Sequence, residues 1–356
     1  MKNFFSSLLG SFLGVIIASV IGAFILIGLV AGAFSSLVKS KDKVQSISDN
    51  TVIHLKLDKK ILERSSKNIL DNFSFASFST ETPLGLNDIL LDLRRAKEDS
   101  KIKGIYLDLS SVQSGIATLE EIRNALLDFK KSKKFIVSYS ESYSQGAYYL
   151  ATTADKVFLN PAGTIEWKGL SAQIMFYKGL LDKLDVNAQI FRHGKFKSAI
   201  EPFDLVKMSP ANREQTMAYV GSIWNHIKEG VAAERHISIS ELSHLADGMM
   251  IQSAADAKTA GLADDLLYQD QVYKALNVLL KENENDKINF RTLEAYDKSP
   301  RKIDVSEPIS KNRIAVIYAV GQIEGGEGND NTIGSERISK AIREARLDEN
   351  VKAIVL

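Results

Sequence analysis

Three lysines, Lys195, Lys197 and Lys207, sit among Phe191, Phe196, Ile200 and Phe203 in the stretch FRHGKFKSAIEPFDLVKMSP (191–210). A lysine can act as a general base only when its amine is neutral near pH 7. That means bringing its pKa down from about 10.4 by about three units, a differential destabilisation of the ammonium of about 4 kcal/mol. Apolar burial and neighbouring cations both push that way, and this stretch contains both kinds of residue. Glu201, four residues after Lys197, would oppose the shift if the two paired. On the residues alone, an ordinary surface lysine cluster with an i,i+4 ion pair is the favoured reading.

Other chemistries find little support. The five histidines, at 54, 193, 226, 236 and 244, form no H-E-x-x-H pattern and have no carboxylate partner at metal-ligand spacing. No Walker loop, G-x-G-x-x-G turn or G-x-S-x-G elbow occurs, so no cofactor is expected. Ser-x-x-Lys appears at Ser36–Lys39 and Ser40–Lys43, and so short a pattern reads as incidental. The absence of cysteine excludes thiol catalysis, disulfides and thiolate metal sites without fixing the compartment. Lys plus Arg (45) nearly balances Asp plus Glu (44), so no global field favours nucleic acid.

Strands and helices alternate ahead of the lysine stretch. TVIHLKLDKKI (51–61) alternates apolar and polar residues as a half-buried strand does. LNDILLDLRRAKEDS (86–100) places Leu86, Ile89, Leu90, Leu93 and Ala96 at helical spacing, and IKGIYLDL follows as a buried strand. TLEEIRNALLDFKKS (118–132) reads as a second amphipathic helix with Thr118 and Glu121 spaced as a capping box. FIVSY (135–139) is a strand and GAYYLATTA a helix. This alternation predicts an α/β architecture with a mostly parallel sheet.

Around the lysines themselves, NAQI (187–190) predicts a strand. Ser209 and Pro210 predict the start of a long helix. Along it, Met217, Val220, Ile223, Trp224, Ile227 and Val231 form a stripe expected to be core. A short helix over 254–266 is closed by Gly261.

At the N-terminus no charged residue lies between Lys2 and Lys39. FLGVIIASVIGAFILIGLVAGAF (12–34) exceeds the roughly 20 apolar residues that a membrane-crossing helix needs. The alternative is a cleaved signal peptide, with AGA (31–33) as its cleavage site. Such signals have apolar cores of about 7 to 15 residues, shorter than this one, so a retained single-pass anchor is expected. The flanking lysines, Lys39, Lys41 and Lys43 against Lys2, would place the C-terminal side in the cytoplasm by the positive-inside count.

Near the C-terminus the pattern restarts. RIAVIYAVGQI (313–323) echoes TVIHLKLDKKI. SERISKAIREARLDENVKAIVL (335–356) lies over LNDILLDLRRAKEDSKIKGIYL (86–107) without a gap, at a constant offset of 249 that puts Leu356 on Leu107. Ile338 falls on Ile89, Ile342 on Leu93, Ala345 on Ala96, Val351 on Ile102 and Ile354 on Ile105. A duplication explains the shared order of strand, loop, helix and strand. The expected organisation is a membrane anchor and tether (1–48), a first repeat domain (49–280), a charged, Asn-rich linker (281–311) and the start of a second repeat domain (312–356). In the first copy the second strand leads into SSVQSG (110–115) and another helix. Such a turn at the C-terminal end of a parallel sheet is where ligands and reactive groups are commonly placed. The matching turn of the second copy would follow residue 356, so the chain reads as part of a longer protein.

From about residue 50 onward the chain resembles signal peptide peptidase A (protease IV) of the long, duplicated type. The resemblance is carried by YSQGAYYLATTADKVFLNPAGTIEWKGL (143–170), FYKGLLDKLDVNAQIFRHGKFKSAIEPF (176–203), MSPANREQ (208–215) and LADGMMIQSAADAKTAGLADDL (245–266). It implies a crotonase-like or Clp-protease-like fold of repeated β-β-α units and a membrane-anchored serine peptidase with a Ser–Lys dyad. The family's base is the second lysine of a G-x-[YFH]-K-[SD] segment, here GKFKS, which assigns that role to Lys197 and reverses the reading from the residues alone. Its nucleophilic serine lies in an N-S-P-G-G-S turn of the second repeat, which these residues do not contain. In the first repeat SSVQSG lacks that pattern and Gly115 stands where the serine would be, so Ser110, Ser111 and Ser114 are not assigned. The resemblance further implies hydrophobic peptides such as signal-peptide remnants as substrates, a homo-oligomer, and a place in the bacterial inner membrane with the catalytic bulk outside the cytoplasm. Two other readings are a membrane-tethered binding or scaffold protein of the same fold and an acyl-CoA enzyme of the crotonase type.

Overall fold

The computed structural model describes residues 10–25, 28, 46–65, 73–74, 79–80, 83–300, 310–329 and 332–356. By its contacts the chain forms two units, one of 1–46 with 298–301 and one of 47–297 with 302–356. In the first unit, residues 10–25 are helical with exposed side chains. Among the described residues no helix is long and apolar enough to cross a membrane. The expected anchor, 12–34, lies partly outside the described residues. Both Ser-x-x-Lys patterns lie wholly outside them.

The second unit begins with strand β1 (Thr51–Leu55), followed by two short strands, β2 (Ile61–Leu62) and β3 (Leu84–Gly85). Helix α1 (Leu86–Glu98) then buries the periodic face Leu86, Ile89, Leu93 and Ala96. Strand β4 (Ile102–Asp108), helix α2 (Ile116–Lys130), strand β5 (Phe135–Ser140), helix α3 (Gln145–Ala151) and strand β6 (Lys156–Leu159) continue the alternation. After a long excursion come α4 (Lys178–Lys183), α5 (Glu201–Asp204), α6 (Pro210–Arg235), α7 (Ile239–Asp247) and α8 (Ala254–Thr259). Strand β7 (Asp265–Leu266), helix α9 (Gln269–Leu280), strand β8 (Asn289–Thr292) and helix α10 (Leu293–Asp297) complete this part.

The sheet is six-stranded, in the order β8-β1-β4-β5-β6-β7, and every pair is parallel. The predicted α/β architecture with a parallel sheet is therefore observed. Successive residues of each strand enter opposite layers. Ile53, Ile105, Ile136 and Val157 pack with α1, α2, α3 and the later helices. Val52, Tyr106, Val137 and Phe158 pack under Val272, Leu276 and Leu280 of α9. Covering each of those three α9 side chains contributes about 1.5–3 kcal/mol. Because helices cover both faces, β1 is buried nearly throughout, where its alternation predicted a half-buried strand.

Three local expectations change. Helix α2 starts at Ile116 with Gly115 as its cap, so Thr118 lies inside the first turn and caps nothing. NAQI is not a strand, because no neighbouring chain pairs with it. Part of the expected linker, 281–311, supplies edge strand β8 and helix α10. Ser209, however, does cap α6, accepting from the Asn212 N–H with Pro210 in the first turn, and Gly261 (φ +74°) follows α8.

The C-terminal residues repeat the first supersecondary unit. Strands β9 (Arg313–Val316), β10 (Gln322–Glu324) and β11 (Thr332–Gly334) precede helix α11 (Ser335–Leu347) and strand β12 (Val351–Val355). β9 pairs with β12 in parallel as β1 pairs with β4, and β10 with β11 as β2 with β3. Even the register slip recurs: it falls between Thr51 and Val52 in one copy and between Arg313 and Ile314 in the other. Asn87 of the first copy donates a hydrogen bond to the Tyr318 hydroxyl of the second.

Candidate active site

The chain leaves the core at Trp167, whose indole N–H donates to the Leu242 carbonyl (2.8 Å). No side chain from Lys168 to Ile200 is buried. Gln145 of α3 holds the start of this arm, accepting from the Gly169 N–H (3.2 Å); farther out the Tyr177 N–H donates to the Pro202 carbonyl (2.7 Å), and the Tyr177 and Phe203 rings stack at 5.8 Å. Gly194 takes φ +106°, a conformation open to glycine at little cost, and so turns the chain just before Lys197. Lys197 then caps a 3₁₀ turn over Ser198–Ile200.

The Lys197 amine is exposed and forms no hydrogen bond or ion pair among the described residues. It borders an open groove of about 450 Å³ lined by Phe191, His193, Phe196, Ile200 and Gln215. Phe191 is 91% exposed, so the apolar side chains stand around the lysine without enclosing it. The Lys195 amine lies 5.3 Å from the Phe196 ring centre. The i,i+4 pairing of Lys197 with Glu201 is not formed. Glu201 is instead buried (1% exposed) and accepts from the Ser209 hydroxyl (2.6 Å), the Ser209 N–H (3.1 Å) and the Asn212 amide (2.9 Å), with Arg192 at 3.9 Å. Burial pushes its carboxyl up, but these hydrogen bonds and the Arg192 charge together bring it below the ordinary range.

The serines of the first-repeat turn are not brought to Lys197. The Ser110 hydroxyl lies 3.2 Å from that of Ser140, and its carbonyl accepts from the Ser144 N–H (2.8 Å). Among the described residues no hydrogen bond joins Ser110, Ser111 or Ser114 to a lysine.

Two charged clusters were not anticipated. At the C-terminal ends of β1 and β4, Asp108 accepts from Lys56 (2.9 Å) and pairs with His54 (2.9 Å), whose ring stacks on Tyr106 at 5.0 Å. Burial raises the Asp108 carboxyl, yet His54 and Lys56 hold it below the ordinary range, and the bond to Asp108 raises Lys56. On α2 and α6, Glu120 meets His226 (2.9 Å) and accepts from the Tyr149 hydroxyl. Nearby, buried Arg123 donates to the Tyr149 carbonyl (2.6 Å) and the Gly230 carbonyl (2.7 Å), locking α6 onto α3. These residues are far apart in sequence, and no spacing rule links them. Among the described residues no group of three or more His, Asp or Glu side chains is placed to hold a metal ion.

Residues 128–283, which include the GKFKS turn, match peptidase family S49. Protease 4 of Salmonella typhi is 37% identical over 279 residues, 76% of this chain and 44% of that protein. Protease 4 of Haemophilus influenzae is 32% identical over 279 residues, 76% of this chain and 45% of that protein. The chloroplastic serine protease SPPA of Arabidopsis thaliana is 27% identical over 277 residues, 77% of this chain and 41% of that protein. The chain thus spans less than half the length of these curated relatives. With strands β5 to β7 and the GKFKS turn inside the matched region, the chain belongs to peptidase family S49, in the company of the protease 4 and SppA proteins.

Proposed function

We propose that the chain supplies the general base of a membrane-anchored serine endopeptidase, with Lys197 as that base and a serine from a second repeat, outside these 356 residues, as the nucleophile. The observation that carries this reading is the placement of Lys197: unpaired, in a glycine-turned loop beside an open apolar groove, inside the S49 region. The Lys197 amine would take the serine proton as the hydroxyl attacks a peptide carbonyl, then return it to the leaving amine. Hydrophobic peptides such as signal-peptide remnants fit the exposed Phe191 and Phe196 and the half-buried Ile200.

Residues 12–34 would anchor the protein in the bacterial inner membrane, with the catalytic bulk outside the cytoplasm, and the peptidase would act as a homo-oligomer. In the full-length protein, Lys197→Ala should abolish turnover of a hydrophobic peptide, a loss of at least about 10³-fold, without unfolding the protein. The 356-residue chain should be inactive, and substantial hydrolysis by it would refute the dyad. Its exposed, unpaired lysine also fits a second reading, a binding protein of the same fold. A fluorophosphonate probe separates the two, since only a working nucleophile labels.

A further inference from the structure

The arm carrying Lys197 returns to the protein through a carboxylate. Between Lys168 and Ile200 no side chain is buried, and the first one that is belongs to Glu201. An apolar residue would be the ordinary choice there, because burying a charge costs heavily unless donors surround it. Glu201 has them: the Ser209 hydroxyl at 2.6 Å, the Ser209 N–H at 3.1 Å and the Asn212 amide at 2.9 Å, with Arg192 at 3.9 Å. Ser209 is at the same time the cap of α6, and Thr216 donates to Asn212 Oδ1 (3.3 Å) one turn on. A carboxylate at this end of a 26-residue helix also faces the positive end of its dipole. The helix is fixed in turn by Arg123, through the Gly230 carbonyl. Hence Lys197 is joined to the rigid helical layer by a short 3₁₀ turn and one hydrogen-bonded clasp, while its own side chain touches no polar partner.

We propose that Glu201 is a positioning residue for Lys197: it fixes the backbone of the lysine turn against the start of α6, so that the amine is held where a hydroxyl can meet it. This rests on the reading of Lys197 as the base. The carboxylate acts through four-point recognition, which a neutral amide of equal size disrupts by turning an acceptor into a donor facing other donors.

In the full-length protein assayed on a hydrophobic fluorogenic peptide, Glu201→Gln should lower kcat by about 10- to 100-fold, the loss expected when a catalytic group moves by about 1 Å. KM should stay within about twofold. Wild-type kcat in Glu201→Gln, with Lys197→Ala inactive, would overturn the positioning role and leave the base assignment standing. Turnover by Lys197→Ala would overturn the base assignment itself. A loss in KM alone would also remove the clasp from catalysis. If Glu201→Gln fails to fold, Asn212→Ala removes one of the bonds to Glu201 together with the Thr216 contact, and an unchanged kcat there overturns the proposal.

Discussion

The unit from β1 to β4 and the unit from β9 to β12 share one backbone plan and differ in what covers it. Both pair their strands in parallel with the same register slip, and both place a 13-residue helix after a glycine. In both, an aspartate just past the helix accepts the N–H two residues on: Lys101 to Asp99 at 3.0 Å, Asn350 to Asp348 at 2.9 Å. Yet Leu93 and Ile105 are fully buried, while their counterparts Ile342 and Ile354 are 37% and 40% exposed. Helix, turn and register are thus written locally in each copy, whereas burial needs neighbours. The first copy has them in α2, β5 and α9. Among the described residues, the second has no equivalent cover.

The largest expected contrast lies in the core. Leu93→Ala should cost about 2–5 kcal/mol, a buried large-to-small change with a cavity left behind. Ile342→Ala should cost under about 1 kcal/mol in this chain, as a partly exposed substitution does. Urea unfolding of both variants checks this, and equal losses would break the comparison.

A medium effect separates the strand ends. His54 and Lys56 with Asp108 form a charged cluster in the first copy, and the positions matching His54 and Lys56 in the second are Val316 and Tyr318. The folded Asp108 carboxyl sits below its ordinary range. Its contribution is therefore present above the unfolded value near 4 and is lost as pH falls through the lower folded one. Lys56, raised by the same contact, keeps its contribution below about 10.4 and loses it only as pH rises through its folded value. Asp108→Asn should cost about 1–2 kcal/mol at pH 7. Hydrogen exchange in strand 51–55 should become faster on acidification below about pH 4, with no such change in 313–316. Acid sensitivity that survives in Asp108→Asn would place its origin elsewhere.

The smallest effect should be shared. Asp348→Ala removes an exposed turn bond and should cost about 0.5 kcal/mol, because local side-chain-to-backbone bonds act within their own turn. A loss comparable to Leu93→Ala would mean that the second copy depends on more than local structure.

Much of the scaffold was legible in the residues. The alternation of strand and helix, the Ser209–Pro210 start of α6 and the 249-residue echo all rest on short-range rules. The stripe on α6 was legible only in part: Ile227 and Val231 are core, while Met217 is exposed, since a helix's spacing cannot say where its neighbours end. Lys197 entered through a resemblance, and its exposure was not foreseen, because apolar neighbours in sequence need not fold over the residue they flank. For Glu201 the sequence suggests only a pairing with Lys197. Nothing at i,i+4 spacing reveals that the carboxylate turns inward to Ser209 and Asn212.

By itself the sequence determined where helices and strands form, because periodicity, caps and turn residues act over a few positions. It also carried residues 128–283, which match peptidase family S49. Only the tertiary structure decided which faces are covered, that β1 is buried on both sides, that Asp108 meets His54 and Lys56, and that Glu201 anchors the lysine arm. Those outcomes depend on groups brought together across tens to hundreds of residues, where the free energy of burial and pairing belongs to the assembled neighbourhood and not to any one segment.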